Sequence, residues 1–324
     1  MNLRLSLIAL VPVVSALVVA CGSPAPASAP PDGAAAEAGY PVHYRSCGHD
    51  FTAPEPPKRV LLGSASTLPT LAALGVQDRA FGYLTGQQYP PPPESRNLQE
   101  VSPDFMASRE TVLGARPDLV LTTDENQVSG EQGTPSADDL TTLGAGDYVM
   151  GGFCVGAAAP TGVDVVYDDI RQLGAIFGVP ERAARLEGEL KQRMAAAGAV
   201  RGSRPPARVA FVQVYDGKLY ALSGGPYAAI LAGAGMTNEF ADVKDNFAEI
   251  TSEQILVRRP DAVLVVHGGT EDPQQTTEAV GRMMAGSPAV QRGAVYPVSG
   301  SEITGGGVNI VSLIESVAKK VYGG

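Results

Sequence analysis

Tryptophan is absent from the 324 residues, and histidine and cysteine occur three times each. Two of the histidines, His43 and His49, lie close together near the start and the third is His267. That distribution argues against a bare zinc or manganese site of the multi-histidine type, and no metal site is expected. No nucleophile elbow, no glycine-rich phosphate loop and no histidine–carboxylate cluster is present, so the usual signatures of an extracellular enzyme are missing. Gly305-Gly-Gly307 precedes the last helical pattern but lacks the spacing and lysine of a phosphate loop. Basic residues are few: 24 Lys and Arg against 34 Asp and Glu leave a formal charge of −10, which argues against nucleic acid as a partner.

Only one long apolar run exists. Residues 1–20 carry Arg4 and then an apolar stretch broken by Ser6, Pro12 and Ser15, which reads as a secretory signal rather than a spanning helix. It ends Val18-Val19-Ala20-Cys21, which resembles the lipobox of bacterial lipoproteins. Cys21 is then the lipidated residue and the chain is held to the outer face of the cell membrane; an ordinary signal with a spectator cysteine is the other reading. Residues 21–39, rich in Ala and Pro, have no apolar periodicity and read as a tether. Export also fits the cysteines. With Cys21 assigned to lipid, Cys47 and Cys154 remain for one disulfide in an oxidising compartment, although spacing alone leaves two separate thiols open.

The rest of the chain is organised around a repeat. Glu110…Arg116-Pro117-Asp118-Leu-Val-Leu121 recurs as Glu253…Arg259-Pro260-Asp261-Ala-Val-Leu264, each residue 143 positions on. Each copy predicts a short helix running into a buried strand. Thr251 and Gln254 form a capping box, Ile250 and Ile255 a hydrophobic staple, and the Arg-Pro pair a stop. Two copies imply two similar lobes. Strands alternate with helices on either side, which predicts mainly parallel α/β sheets. The expected plan is an N-terminal lobe over 40–162, a stiff interlobe helix over 163–179 and a C-terminal lobe over 180–324.

The succession Arg59-Val-Leu-Leu, Leu71-Ala-Ala-Leu74-Gly-Val and the doubled Glu…Pro-Asp motif resembles the substrate-binding proteins of iron-chelate and cobalamin ABC importers. Tyr44-Arg-Ser-Cys47-Gly with the later Cys154 looks like an actinobacterial-type branch of that family. The resemblance implies two α/β sandwich lobes joined by a rigid helix, the class III periplasmic-binding-protein plan, with ligand in the groove between them. It also implies that Glu110 and Glu253 dock on arginines of a permease dimer served by its ATPase. A carboxylate in a helix's first turn is favoured by the macrodipole without any partner, so the doubling is what draws attention to these two.

In open α/β sheets ligands lie beyond the carboxyl ends of strands. That rule nominates Ser64, Ser66, Tyr83, Gln87, Tyr89 and Asp124 in the first lobe and Tyr215, Tyr227, His267 and Glu302 in the second. The 143-residue offset sets Asp124 opposite His267. The expected ligand is a small metal chelate, a ferric siderophore first; haem, cobalamin or another cofactor precursor such as that of a deazaflavin are alternatives. The missing tryptophan weakens cobalamin, whose broad face packs on aromatics. No cleft arginine stands out to grip an anionic chelate, which leaves a neutral or cationic one open. The chain is expected to act as a monomer with no cofactor of its own. An extracellular enzyme and a surface lipoprotein that feeds no transporter are the rival classes.

Overall fold

The computed structural model describes residues 39–85, 91–152, 154, 162–243, 245–269 and 271–323. The signal, the tether with Cys21, and Gln87 and Tyr89 lie outside the described residues.

A hairpin comes first: β1 (Val42–Ser46) and β2 (His49–Ala53) turn at Cys47-Gly48, both with positive φ, as a two-residue hairpin turn demands. Tyr44 and Phe51 face each other across it and stack at 5.6 Å. The first sheet follows with β3 (Val60–Leu62), α1 (Leu68–Leu74), β4 (Ala80–Leu84), β5 (Gln99–Ser102), α2 (Arg109–Gly114), β6 (Leu119–Thr122), α3 (Ala137–Leu143) and β7 (Gly146–Val149). Its strands lie in the order β5-β4-β3-β6-β7, all parallel. The sequence does not predict β5: Gln99 and Glu100 are exposed at an edge, so no buried apolar run marks it.

Two helices packed on each other, α4 (Asp164–Ile176) and α5 (Pro180–Ala199), lie between the two sheets along the chain. The second sheet is built from β8 (Arg208–Tyr215), β9 (Lys218–Leu222), α6 (Gly225–Gly233), β10 (Thr237–Asn238), β11 (Phe247–Ile250), α7 (Ser252–Arg258), β12 (Ala262–His267), α8 (Pro273–Met283), α9 (Pro288–Gln291), β13 (Val295–Ser299), α10 (Gly300–Thr304) and α11 (Gly307–Tyr322). The order is β11-β9-β8-β12-β13 with β10 also on β8, and only β9 runs against its neighbours. No helix among the described residues is long and apolar enough to cross a membrane.

The larger hydrophobic core is not confined to one lobe. It joins Val60, Leu62 and Leu121 of the first sheet, Leu71 of α1, Ile170 and Leu173 of α4, Leu190 of α5, Phe211 and Leu264 of the second sheet, and Val311 and Ile314 of α11. The described residues accordingly form one compact unit. Each sheet also has a smaller outer core, against α2 and α3 on one side and α7, α8 and α9 on the other.

Both copies of the repeat are helix-then-strand, α2 into β6 and α7 into β12. Their arginines, Arg116 and Arg259, take φ of 51° and 52°, so a left-handed residue ends each helix. The aspartates then tie the repeat to the neighbouring strand. Asp118 accepts from the Arg59 backbone N–H at 2.9 Å, and the Arg59 guanidinium donates back to the Arg116 and Ala115 carbonyls at 3.2 and 3.0 Å. Asp261 accepts from the Arg208 N–H at 2.9 Å, and Arg208 donates to the Arg259 carbonyl at 2.5 Å. The Pro-Asp half of the motif is therefore a structural clasp at the amino ends of β3 and β8.

Candidate ligand cleft

Strand order locates the cleft. In the first sheet the chain reverses its direction of travel between β3 and β6, and in the second between β8 and β12. Such switch points open a crevice beyond the carboxyl ends of the two strands. Ser64 and Asp124 lie just past one pair of ends, and Tyr215 and His267 close the other.

The two lobes meet at these ends. Ser66 Oγ lies 3.2 Å from Thr304 Oγ1 and 2.6 Å from Ser64 Oγ, and Asn309 Nδ2 donates to the Ser66 carbonyl at 2.7 Å. The Val308 N–H reaches Thr70 Oγ1 at 3.3 Å. Ser64 and Ser66 are buried in this seam, and Glu302 is half-buried on α10 beside it. The glycine triplet explains itself here. A Cβ on Gly305 would stand 2.6 Å from the Ser66 carbonyl oxygen, and one on Gly307, at φ +44°, 2.4 Å from Thr70 Oγ1. Three consecutive glycines signal a close lobe-to-lobe approach, a signal the search for phosphate loops passes over. Gly307→Ala is expected to lose about 2–3 kcal/mol by urea denaturation, from overpacking and backbone strain together. Gly217→Ala, at φ +71° with open space around it, isolates the backbone part and is expected to lose less.

The other nominated residues divide. Asp124 spends Oδ1 on its own turn, accepting from the Asn126 N–H at 2.9 Å, and His267 Nδ1 contacts the Gly268 carbonyl oxygen at 3.0 Å. Tyr83 is buried in β4, and Tyr227 packs edge-on against Phe211 at 5.3 Å, so both serve the core. Tyr215 is 49% exposed and grouped with Tyr220 and Phe247. The turns leaving β3, β6, β8, β12 and β13, residues 63–67, 123–127, 216–217, 268–272 and 300–304, contain Asp124, Glu125, Asp216, Glu271, Asp272 and Glu302 and neither lysine nor arginine.

Behind the seam lies a crevice of about 10 Å³, room for one water, between Met150 and Gly151 on one side and Ile303, Gly306 and Gly307 on the other. Asp169 of α4 lines it, accepting from Tyr148 Oη at 3.0 Å and the Gly151 N–H at 2.8 Å. Burial pushes its carboxyl up to about 7 against the pull of those two hydrogen bonds. Asp147 is likewise pushed up to about 7, by burial first; Ser46 donates to Oδ2 at 3.1 Å, while Oδ1 has no hydrogen-bond partner. A carboxyl raised on folding binds its proton more tightly in the native state. These two groups therefore stabilise fully below about pH 4, and that stability is lost as pH rises through 7. Asp147→Asn is expected to flatten the fall in melting temperature between pH 5 and 8, and a profile parallel to the parent protein's would refute the assignment.

Glu110 and Glu253 are exposed in the first turns of α2 and α7, behind the N-caps Ser108 and Thr251. Both helices start from the carboxyl ends of strands, β5 and β11, that run with β3 and β8, so both glutamates lie at the end where the cleft opens. Val257, one turn beyond Glu253, is 81% exposed, an unnominated apolar residue beside the carboxylate. Cys47 and Cys154 are joined, with Cα atoms 5.2 Å apart. Glu125 is the third member of the one cluster with metal-ligand spacing among the described residues, but the bonded sulfurs cannot serve as thiolate ligands.

Two lobes with mainly parallel sheets, paired switch points and a close seam define a two-lobed binding protein. Residues 60–299 match the periplasmic binding protein family, and the chain belongs to it. It is 27% identical over 218 residues to the vitamin B12-binding protein of Photorhabdus laumondii, covering 66% of this chain and 72% of that one. An uncharacterized ABC transporter substrate-binding lipoprotein of Bacillus subtilis, YvrC, is 21% identical over 84% of this chain and 82% of its own. Among solved structures, an ABC-type Fe3+-hydroxamate transport system from Saccharomonospora viridis superposes with a TM-score of 0.73 at 26% identity, covering 87% of this chain and 99% of that one. The periplasmic heme-binding protein HutB of Vibrio cholerae, with a TM-score of 0.65 at 19% identity over 82% of this chain and 98% of its own, shares the fold. As a member of that family the chain is a periplasmic binding protein.

Proposed function

We propose that the protein, held to the outer face of the membrane through a lipid on Cys21, captures a ferric siderophore of neutral or cationic charge between its lobes. It then delivers this chelate to a permease dimer docked on Glu110 and Glu253. The observation that carries the ligand class is the charge of the turns leaving β3, β6, β8, β12 and β13, which contain six carboxylates and no basic residue. An anionic chelate would meet repulsion there and find no guanidinium to grip it in a bidentate pair. The likeness to an Fe3+-hydroxamate transport protein supports the same class.

Calorimetry on residues 40–324 with four probes tests it: a cationic ferric trihydroxamate, an anionic ferric tricatecholate, haemin and cyanocobalamin. The trihydroxamate is expected to bind at least tenfold more tightly than any of the others. Tighter binding of the tricatecholate, haemin or the corrinoid would replace this reading with that ligand's.

A further inference from the structure

We propose that the end of the molecule opposite the cleft is a contact face for anionic phospholipid headgroups, on which the protein rests between deliveries with its cleft turned outward. The inference rests on the reading of Cys21 as a lipid anchor and adds to it a surface and an orientation.

Charge is sorted along the strands. The turns leaving β3, β6, β8, β12 and β13 carry only acids, whereas the turns entering the same five strands, residues 54–59, 115–118, 200–207, 259–261 and 292–294, contain seven lysines and arginines and three acids. Two of those acids, Asp118 and Asp261, are engaged by the Arg59 and Arg208 backbone N–H groups. A chain of formal charge −10 thus has one basic end.

The arginines there are held without being neutralised. Arg59 donates to the Ala115 and Arg116 carbonyls, Arg204 to those of Val200 and Tyr322, and Arg292 to that of Asp261. A carbonyl partner fixes a guanidinium in place and leaves its charge intact. Arg116 and Arg259 go further: both are exposed, and among the described residues neither guanidinium has a hydrogen bond or an ion pair. At φ of 51° and 52° glycine would fit either position with less strain, so backbone shape does not account for arginine in both copies of the repeat.

One helix joins the two halves of this end. Where α5 starts, Arg182 donates to the Leu74 and Gly75 carbonyls at 3.2 and 3.0 Å, beside the turn that enters β4, and past its finish Arg201 and Arg204 lead into β8. Its 20 residues make a rod of about 30 Å between the amino ends of the two sheets. The chain enters the folded unit at the same end. Gly39 and Tyr40 line a groove with Arg182 and Arg185, and Tyr40 Oη donates to the Ile176 carbonyl at 2.8 Å. An anchor at Cys21 therefore pulls the basic end toward the bilayer. Residues 21–39 reach at most about 60 Å when extended. A folded body of this length is about 50 Å across, so the same tether lets the cleft end turn to a permease.

Vesicle sedimentation tests the face, using the chain from residue 21 on with Cys21→Ala so that no lipid contributes. At low salt it is expected to partition at least tenfold more strongly onto vesicles of equal phosphatidylglycerol and phosphatidylcholine than onto phosphatidylcholine alone. Binding is expected to be lost at about 0.5 M NaCl, where surface charge is screened. Adding Arg116→Glu and Arg259→Glu is expected to weaken it at least tenfold, since each basic side chain near an anionic surface is worth roughly fivefold. Arg109→Glu with Lys218→Glu makes the same change of charge at the cleft end and is expected to weaken it less than threefold; circular dichroism checks that both variants are folded. Equal partition onto the two kinds of vesicle, or equal weakening by the two pairs of substitutions, would overturn the face. Retention by soluble poly(glycerol phosphate) without retention by anionic vesicles would also overturn it and assign the arginines to an anionic polymer. The anchor is read separately, by fatty-acid labelling of the full chain against Cys21→Ala: an unlabelled full chain would remove the anchor, and with it the resting posture, whatever the vesicles show.

Discussion

Reversing the charge at both Glu110 and Glu253 is expected to abolish uptake of the ligand by cells while the purified protein keeps its fold and its affinity. Both side chains are exposed, and exposed substitutions away from caps and cores rarely move stability by more than about 0.5 kcal/mol. The caps that hold α2 and α7 belong to Ser108 and Thr251 and survive the change. Glu253 is held in its charged form, its carboxyl kept below the ordinary range by its own backbone N–H and then by Thr251. Two like-charged points, one per lobe and both at the cleft end, suit a partner of twofold symmetry carrying positive charge. With arginine at both, attraction becomes repulsion at two places at once, and rim charges of this kind act mainly on association. Radiolabelled chelate uptake is the measurement, with a melting curve and a binding isotherm as controls. Uptake within twofold of normal by a folded, ligand-competent double variant would remove these residues from the docking face.

Removing the disulfide is expected to cost about 2–4 kcal/mol. Cys47 and Cys154 are 107 residues apart, so the bond closes a long loop of the unfolded chain, the circumstance in which chain entropy gives the largest stabilisation. The loss falls short of unfolding because the hairpin has other anchors. Ser46 donates to Asp147 and accepts from the Val149 N–H at 2.9 Å, and Tyr44 meets Tyr148 edge-on at 6.4 Å. Urea denaturation of a Cys47→Ala, Cys154→Ala variant, which leaves no free thiol at either site, checks this. A change below 1 kcal/mol would show that the hairpin's packing alone suffices.

What could be read from the sequence was local. The capping box at Thr251 and Gln254 is in place, with the Thr251 N–H at 2.9 Å from Gln254 Oε1, and Ile255 is buried below it beside Ile250. Arg116 and Arg259 stop their helices where the following prolines predict. Such features need only neighbours within a turn. Features that depend on distant chain segments were not legible. Asp118 and Asp261 look like strand-entry residues until Arg59 and Arg208 arrive beside them from more than 50 positions away. Nothing local marks Asp147 and Asp169 as buried, because the sheet, hairpin and helix that close over them come from distant stretches of the chain. The rule of strand ends picks out Ser64 and Ser66, which the structure places in the seam between the lobes, but not Thr304 and Asn309, which reach that seam from α10 and α11.

The continuous core between the sheets has a consequence for how ligand leaves. A protein with a loose hinge must first populate a closed form, and its apparent affinity is diluted by the fraction that is open. Here Leu71, Ile170, Leu190, Phe211 and Ile314 lie in one core, so the lobes are held by shared packing rather than by a loose hinge. Any separation of the lobes at the seam works against that packing, and the free energy for it has to be supplied from outside the protein.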